Sequence, residues 1–397
     1  MPNILQYKEK KINKDKLVRI TTIPIALKVA LKNQLRFMSD YFDIIAVASD
    51  GKELSELSIQ EGVRTKAINL TRKITPIQDI QSLINMILFL IKEKPMIVHT
   101  ETPKAGLIGM LAAKLCNIPI RLHTVAGLPL MEATKIKQKV LIIVEKIVYK
   151  CSTHIYINSS GLKEYIKQNN LTTPSKLSVI GHGSSNGIDT TYFKRTPYIT
   201  GQSEDLKQTY QLSNTTVFSF IGRIVKDKGI NELLEVFETL TQSHQKIKLL
   251  LVGELEQYLN PISNQSMTIL KKNPHIIQTG FKEDVRPYLA LSNYLVLPTY
   301  REGFPNVLLQ AGAMEIPSIT TNINGCNEII KDKYNGFLIK PKNKIELFKC
   351  MENVIKDPTL EKKLAQNCRK EITKKYNQKS FFNMLLNEYQ RHIENYK

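Results

Sequence analysis

The residues best placed to do chemistry cluster in the second half of the chain. The segment PTYREGFPNVLLQAGAMEIPSI, residues 298–319, sets the carboxylate of Glu302 in a loop ahead of a helix expected to begin near Pro305. Proline suits the first turn of a helix, and the free N–H groups of Asn306 and Val307 then form an anion site at its positive end. Gln310 lies eight positions after Glu302, about one turn inside that helix and in reach of the same cleft. Equally, Glu302 is a carboxylate that the helix dipole favours near an N-terminus, with Gln310 a solvent residue. Upstream, a strand runs into Gly222-Arg223 and continues to Lys228-Gly229. Arg223 and Lys228 at the mouth of a strand can close on one diphosphate, the arginine as a bidentate fork and the lysine as a point charge. The alternative is two surface cations beside a loop.

The first half offers fewer groups. His123 follows the apolar run Ile120–Leu122 and precedes Thr124 and Gly127, which places it in a loop at the carboxyl edge of a sheet. His99, Glu101 and Lys104 occupy another expected strand-end loop, where they either contact an acceptor or, for His99, fill a buried strand position. Gly181–Asp189, which includes Asn186, is read as a junction with a cleft-facing edge, its glycines supplying freedom for domain closure.

Positioning these groups requires strands with helices between them. β-rich runs recur at Leu17–Ile23, Ile44–Ser49, Met96–Thr100, Ile120–Val125 and His154–Asn158, then at Val217–Gly222, Lys248–Gly253, Ile276–Gly280, Tyr294–Pro298 and Ser318–Thr321. The rhythm is that of βαβ units and parallel sheets. It lapses around residues 182–202, so the expected architecture is α/β, two Rossmann-like doubly wound halves, residues 1–195 and 196–375. In such folds ligands bind at the carboxyl ends of the strands. The apolar run SLINMILFLI, residues 82–91, is expected to be a core helix rather than a membrane insert.

Composition narrows the partners. The chain has 397 residues, and 56 Lys and Arg against 36 Asp and Glu leave a net charge of +20. That excess asks for an anionic partner: phosphorylated small molecules, anionic lipid or nucleic acid. Aromatics are 7% and are not interleaved with the basic residues, which argues against nucleic acid. Five widely spaced cysteines without a C-x-x-C pair suggest reduced thiols and a cytoplasmic setting, and the lysine-rich N-terminus does not read as a signal peptide. Lysines from Lys8 to Lys16, and Lys135, Lys137 and Lys139 ahead of VLIIVEKIV, keep contact with an anionic membrane surface open. The chain has no G-x-G-x-x-G after a strand, no Walker A sequence, no D-x-D pair and no H-E-x-x-H, so neither a cofactor nor a metal is expected.

Taken together, Arg223 and Lys228 after a strand-glycine turn and E-G-F-P-N with a partner eight residues past the glutamate resemble the nucleotide-sugar half of retaining GT-B glycosyltransferases of family 4. VHTETPKAGLIGMLAAK (98–114), RLHTVAGLP (121–129) and GSSNGID (183–189) resemble the bacterial capsule and lipid-linked-oligosaccharide branch. The resemblance implies a GT-B fold in which residues 1–195 bind the acceptor, 196–375 the donor, and 376–397 form a helix packing back on the N-terminal domain. It implies catalytic roles for His123, Glu302, Arg223 and Lys228. Donor contacts would come from Gly222, Arg223, Lys228, Gly253, Phe281, Glu302, Gly303, Phe304, Asn306, Val307 and Gln310, and acceptor contacts from His99, Glu101, Lys104 and Asn186. The family pattern is E-x7-E, and Gln310 stands at its second position; the amide keeps an acceptor for a ribose hydroxyl and loses the charge. The Gly-rich acceptor loop usual after the first strand is replaced by ITTIPIALK. The implied reaction is metal-independent, retaining transfer of a hexose or N-acetylhexosamine, with UDP as the default carrier, to a polyprenyl-diphosphate-linked glycan at the inner face of the membrane. A nucleotide-sugar 2-epimerase of the same fold, or a non-catalytic polyanion-binding protein, would share some of these features.

Overall fold

The structure, a computed structural model, describes residues 14–71, 75–258 and 260–397. Most of the N-terminal lysine cluster lies outside those residues, as does the side chain of Lys135.

Among the described residues, aliphatic runs of four to six residues make most of the strands. The first sheet contains β1 (Lys16–Ile20), β2 (Asp43–Ala48), β3 (Arg64–Ala67), β4 (Ile97–Glu101), β5 (Ile120–Val125), β6 (His154–Ile157) and β7 (Leu177–Ser178). The second contains β8 (Thr216–Ile221), β9 (Ile247–Val252), β10 (Ile276–Gly280), β11 (Tyr294–Leu297), β12 (Ser318–Thr321) and β13 (Gly336–Ile339). Their orders are β3-β2-β1-β4-β5-β6-β7 and β10-β9-β8-β11-β12-β13. Pairing is parallel from β3 to β5 and throughout the second sheet. The near-continuous apolar runs DIIAVA in β2 and TVFSFI in β8 are what a parallel strand buried on both faces requires.

Two compact units result. One comprises Met1–Thr124, Ile142–Ile155 and Leu386–Lys397; the other comprises Val125–Leu141 and Tyr156–Leu385. In the second, Phe218, Phe220, Phe237 and Tyr294 fill a core closed by Leu308 and Leu309. In the first, the terminal helix Gln378–Glu394 brings Tyr389 against His99 and Phe42, with ring centroids 5.7 and 5.8 Å apart.

Gly183 and Gly187, expected to lend a junction its conformational freedom, lie in a packed turn. Both are buried at positive φ, and a Cβ on either would approach backbone, at 2.5 Å from the Asn158 oxygen and 2.8 Å from the Tyr376 oxygen. Hydrogen bonds from the Ile188 N–H to the Tyr376 carbonyl (2.7 Å) and from the Gln378 N–H to the Ile188 carbonyl (3.0 Å) hold the segment against the chain near residue 377. Within and beyond the stretch where the strand rhythm lapses the chain forms a helix, Pro197–Thr209, capped by the Thr196 hydroxyl. The run 82–91 belongs to the helix Pro76–Glu93, and this is not a core helix. Only Ser82, Met86, Phe89 and Leu90 of its side chains are buried.

Candidate active site

In the second unit the strand-glycine turn and the E-G-F-P-N loop are tied together by backbone and charge. The Asp227 carbonyl accepts from the Tyr300 N–H at 2.9 Å and from the Thr299 hydroxyl at 3.2 Å. Its carboxylate pairs with Arg301 at 3.1 Å, and next to it Lys228 forms an ion pair with Glu302. Gly229 permits this approach: it sits at φ 72°, and a Cβ there would lie 2.0 Å from the Pro298 carbonyl. Lys228 and Glu302 therefore face each other at the carboxyl ends of β8 and β11, ahead of the helix Asn306–Ala313. Pro305 is the cap of that helix rather than its first residue. The N–H groups of Asn306 and Val307 lie in the first turn, beyond the reach of i→i−4 bonding.

Gly303 draws in a second motif. A Cβ on Gly303 would stand 1.6 Å from the Ala126 carbonyl, so the E-G-F-P-N loop lies directly on the V-A-G-L-P segment, and Asn158 donates its amide to the same carbonyl at 3.2 Å. Gly325 also closes against this loop, a Cβ on it lying 2.4 Å from the Gly303 carbonyl oxygen. Cys326, the next residue, is buried close enough to feel both charges. Burial first, and then Glu302, push its thiol up to about 12, while Lys228 acts the other way.

The remaining donor candidates are dispersed around this pair. Arg223 is half-exposed and is held by Glu256 at 2.9 Å, not paired with Glu302. Gly222 and Gly253 are stacked at the strand ends, the Gly222 N–H donating to Val252 and the Gly253 N–H to Gly280 at 3.0 Å each. Phe281 is exposed, and Gln310 is partly exposed within its helix. The Phe304 ring is buried, 5.4 Å from that of Tyr376, so its side chain packs the interior and leaves only backbone for a ligand. Asn186 is buried in a turn whose Ser184 hydroxyl accepts from the Asn186 and Gly187 N–H groups.

In the first unit His123 lies within β5, not in a loop after it. It is buried, with Nδ1 2.8 Å from the Thr100 hydroxyl. Gly106 leaves space for its ring, since a Cβ there would come within 2.6 Å of Cε1. Burial lowers its pKa to about 4, so the imidazole is neutral near pH 7. His99 is likewise in a strand, β4, and its ring is enclosed by partners. Nδ1 contacts Arg19 and, at 2.6 Å, the Tyr389 hydroxyl; Nε2 contacts Thr124 at 2.7 Å. Glu101 pairs with Arg19 at 3.3 Å. Lys104, in the first turn of the helix Pro103–Leu115, pairs with Asp79 at 2.5 Å. The expected acceptor loop is thus the end of a strand carrying His99 and Glu101 and the start of a helix carrying Lys104, each of the three with a partner.

Sequence reasoning passed over Asp227, Arg301, Asn158, Cys326 and Arg19. Arg19 was detectable as a lone cation inside the apolar run LVRIT. Asp227 was flagged only by its place between two motif residues. Glu328, which accepts from the Ser160 and Gly161 N–H groups at 2.8 and 3.2 Å, carries no local signal.

Known proteins share this arrangement of segments. Residues 202–371 match the family model of glycosyl transferases group 1, and residues 22–159 that of glycosyl transferase 4-like proteins. The capsular polysaccharide biosynthesis glycosyltransferase CapM of Staphylococcus aureus is 35% identical over 364 residues, 91% of this chain and 93% of that protein. The Escherichia coli UDP-Gal:alpha-D-GlcNAc-diphosphoundecaprenol alpha-1,3-galactosyltransferase is 28% identical over 375 residues, 92% and 94% of the two chains. Among solved structures, Anabaena HepE in complex with UDP and glucose superposes with a TM-score of 0.80 at 16% identity, covering 95% of this chain and 100% of that one. A glycosyltransferase from Rickettsia africae does so at 0.80 and 20% identity, covering 96% and 100%. With two parallel-sheet Rossmann-like domains, both family segments in order and a 35% identical relative along nearly its whole length, the chain belongs to the group 1 glycosyltransferases of family 4, of GT-B fold.

Proposed function

We propose that this enzyme moves a hexose or N-acetylhexosamine from a uridine-diphosphate carrier, with retention at the anomeric carbon, onto a polyprenyl-diphosphate-linked glycan in the assembly of cell-surface polysaccharide. The observation that carries the reading is the Lys228–Glu302 pair, clamped by Asp227 beside the first turn of the helix Asn306–Ala313. The bond from the anomeric carbon to the β-phosphate oxygen breaks, and negative charge builds on that phosphate. Lys228, Arg223 released from Glu256, and the N–H groups of Asn306 and Val307 stabilise it, the kind of preorganised electrostatics that supplies large rate factors. Glu302 orients the sugar hydroxyls. The departing phosphate accepts the proton of the incoming hydroxyl, which attacks from the same face. His123, neutral at working pH, serves as a hydrogen-bonding group rather than a cation. Gln310 accepts from a ribose hydroxyl.

In this reading residues 196–375 hold the donor and 1–195 the acceptor, the protein attaching peripherally to an anionic membrane where that acceptor resides. Relatives support it: the E. coli protein is named for transfer to a GlcNAc-diphosphoundecaprenol acceptor, and a Campylobacter jejuni relative, 27% identical over 75% of this chain, is an N,N'-diacetylbacillosaminyl-diphospho-undecaprenol alpha-1,3-N-acetylgalactosaminyltransferase. The test is transfer from a panel of nucleotide sugars to a polyprenyl-diphosphate sugar, with the anomeric configuration of the product read by NMR. A UDP-sugar with retained configuration is expected. Inverted product, or donor epimerised without acceptor, would replace the proposal.

A further inference from the structure

The helix Pro76–Glu93 leaves Ile77, Ile80, Ile84, Leu88 and Ile91 in solvent, 85%, 61%, 51%, 62% and 54% exposed. At 100° per residue these five side chains fall within an arc of about 80°, next to a separate exposed arc of Gln78, Gln81, Asn85 and Lys92. Single apolar residues on a surface are ordinary, whereas an unbroken aliphatic stripe along an 18-residue helix marks a docking face.

The charges around the stripe are sorted by sign. The two carboxylates of the helix are neutralised, Asp79 by Lys104 at 2.5 Å and Glu93 by Lys16 at 2.7 Å and Arg64 at 3.4 Å. Leu88 borders a groove that also holds Arg64, Lys66 and Lys92, and Ile91 borders another that holds Lys14, Lys16 and Lys94 together with Asp15, which pairs with Lys397 at 3.5 Å. Among the described residues Lys66, Lys92 and Lys94 have no ion pair. An aliphatic ridge flanked by free cations, with its acids neutralised, is complementary to one kind of surface: acyl chains below anionic headgroups.

We infer that the helix Pro76–Glu93 lies in the plane of an anionic bilayer interface, its five aliphatic side chains at the acyl boundary and Lys66, Lys92 and Lys94 among the headgroups. This rests on the reading above, since a polyprenyl-linked acceptor confines the reaction to a membrane surface. Attachment is then hydrophobic as well as electrostatic, so it weakens in salt without being abolished.

The test uses the full chain with vesicles of phosphatidylglycerol and phosphatidylcholine, or of phosphatidylcholine alone, by cosedimentation at low and high salt. Ile80→Gln, Ile84→Gln and Leu88→Gln together change only exposed positions and retain good helix formers. Partition into the mixed vesicles should fall at least tenfold, with thermal melting and UDP-sugar binding unchanged. Lys66→Gln with Lys92→Gln should lower it several-fold and flatten its salt dependence. Vesicle binding unchanged in the triple variant would overturn the inference. So would a wild-type dimer in analytical ultracentrifugation that the triple variant makes monomeric without losing vesicle binding, because the stripe would then seat a second copy of the chain. Transfer to a detergent-solubilised polyprenyl-diphosphate sugar is measured separately. If the wild type is inactive there but binds vesicles through the stripe, the acceptor reading fails and the docking face stands.

Discussion

Replacing Lys228 by methionine, alone and together with Glu302→Gln, tests the contact on which the proposed site turns. The two side chains are 20% and 14% exposed, so the pair is screened less than a surface one. At an effective dielectric of about 20, two unit charges about 4 Å apart attract by roughly 4 kcal/mol before desolvation is subtracted. A hydrogen bond involving charged groups nets about 1.5–3 kcal/mol, and that is the coupling expected from a double-mutant cycle in urea unfolding. Lys228→Met leaves the Glu302 carboxylate largely out of water without its cation, so it should be the more destabilising single change. Adding Glu302→Gln to it should recover much of the loss. Turnover should behave differently. Each single variant should lose about 10²-fold or more, roughly 2.7 kcal/mol, and the double variant should not recover, because the phosphate cation is absent from it. Stability coupling below about 0.5 kcal/mol would refute the pair as a structural contact. Recovery of turnover in step with stability would refute the phosphate role, leaving Lys228 a residue that only supports the loop.

Other outcomes follow from the same geometry. Gly303→Ala must move either Ala126 or the E-G-F-P-N loop, and should cost more than about 2 kcal/mol, whereas Gly201→Ala, with open space around its helical position, should gain about 0.5–1 kcal/mol; paired thermal melts check both. Arg223→Ala removes a half-exposed ion pair with Glu256 and should change stability by less than about 1 kcal/mol while cutting transfer about 10²-fold; normal transfer would relegate Arg223 to the surface. His123 is protonated near pH 4 when folded and near 6.5 when unfolded, so stability is full above pH 6.5 and falls as pH drops to about 4, by up to about 3 kcal/mol. His99, depressed by burial and then by Arg19, adds in the same sense, and His123→Asn should make urea midpoints less steep in that window. Glu145, raised by burial to about 7 despite its hydrogen bond from Tyr149, works oppositely: stability falls as pH rises from 4.5 to 7. Glu145→Gln should therefore gain up to about 3 kcal/mol at pH 8 and little at pH 4, and equal midpoints at pH 8 would remove the argument.

Much of the architecture could be read before any coordinates. A parallel strand covered on both faces must be apolar along its length, so the ten runs from Leu17 to Thr321 stood out, and each overlaps an observed strand. The strands passed over, β3, β7 and β13, lie on sheet edges, where one flank is unpaired and RTKA or a two-residue LS meets the requirement. Strand-end glycines, Pro305 and the motif spacings likewise located the residues of the site, because turns and helix starts are local constraints. What no local signal contains is which distant groups meet. Lys228 engages Glu302 across 74 positions, Gly303 closes on Ala126, and Arg223 turns instead to Glu256. His123 was placed in a loop because polar residues near strand ends usually belong there, while for His99 a strand-end loop and a buried strand position stood open and the second is the one observed. Tertiary packing buried them in strands, with partners drawn from Arg19, Thr100, Thr124 and Tyr389. The helix Pro76–Glu93 shows the limit most plainly. Its sequence set apolar side chains all along it, but a helix apolar on more than one side cannot specify which arc the fold will cover. The helix packs against the neighbouring helix Pro103–Leu115 with Met86, Phe89 and Leu90 buried, and that choice left Ile77, Ile80, Ile84, Leu88 and Ile91 facing outward.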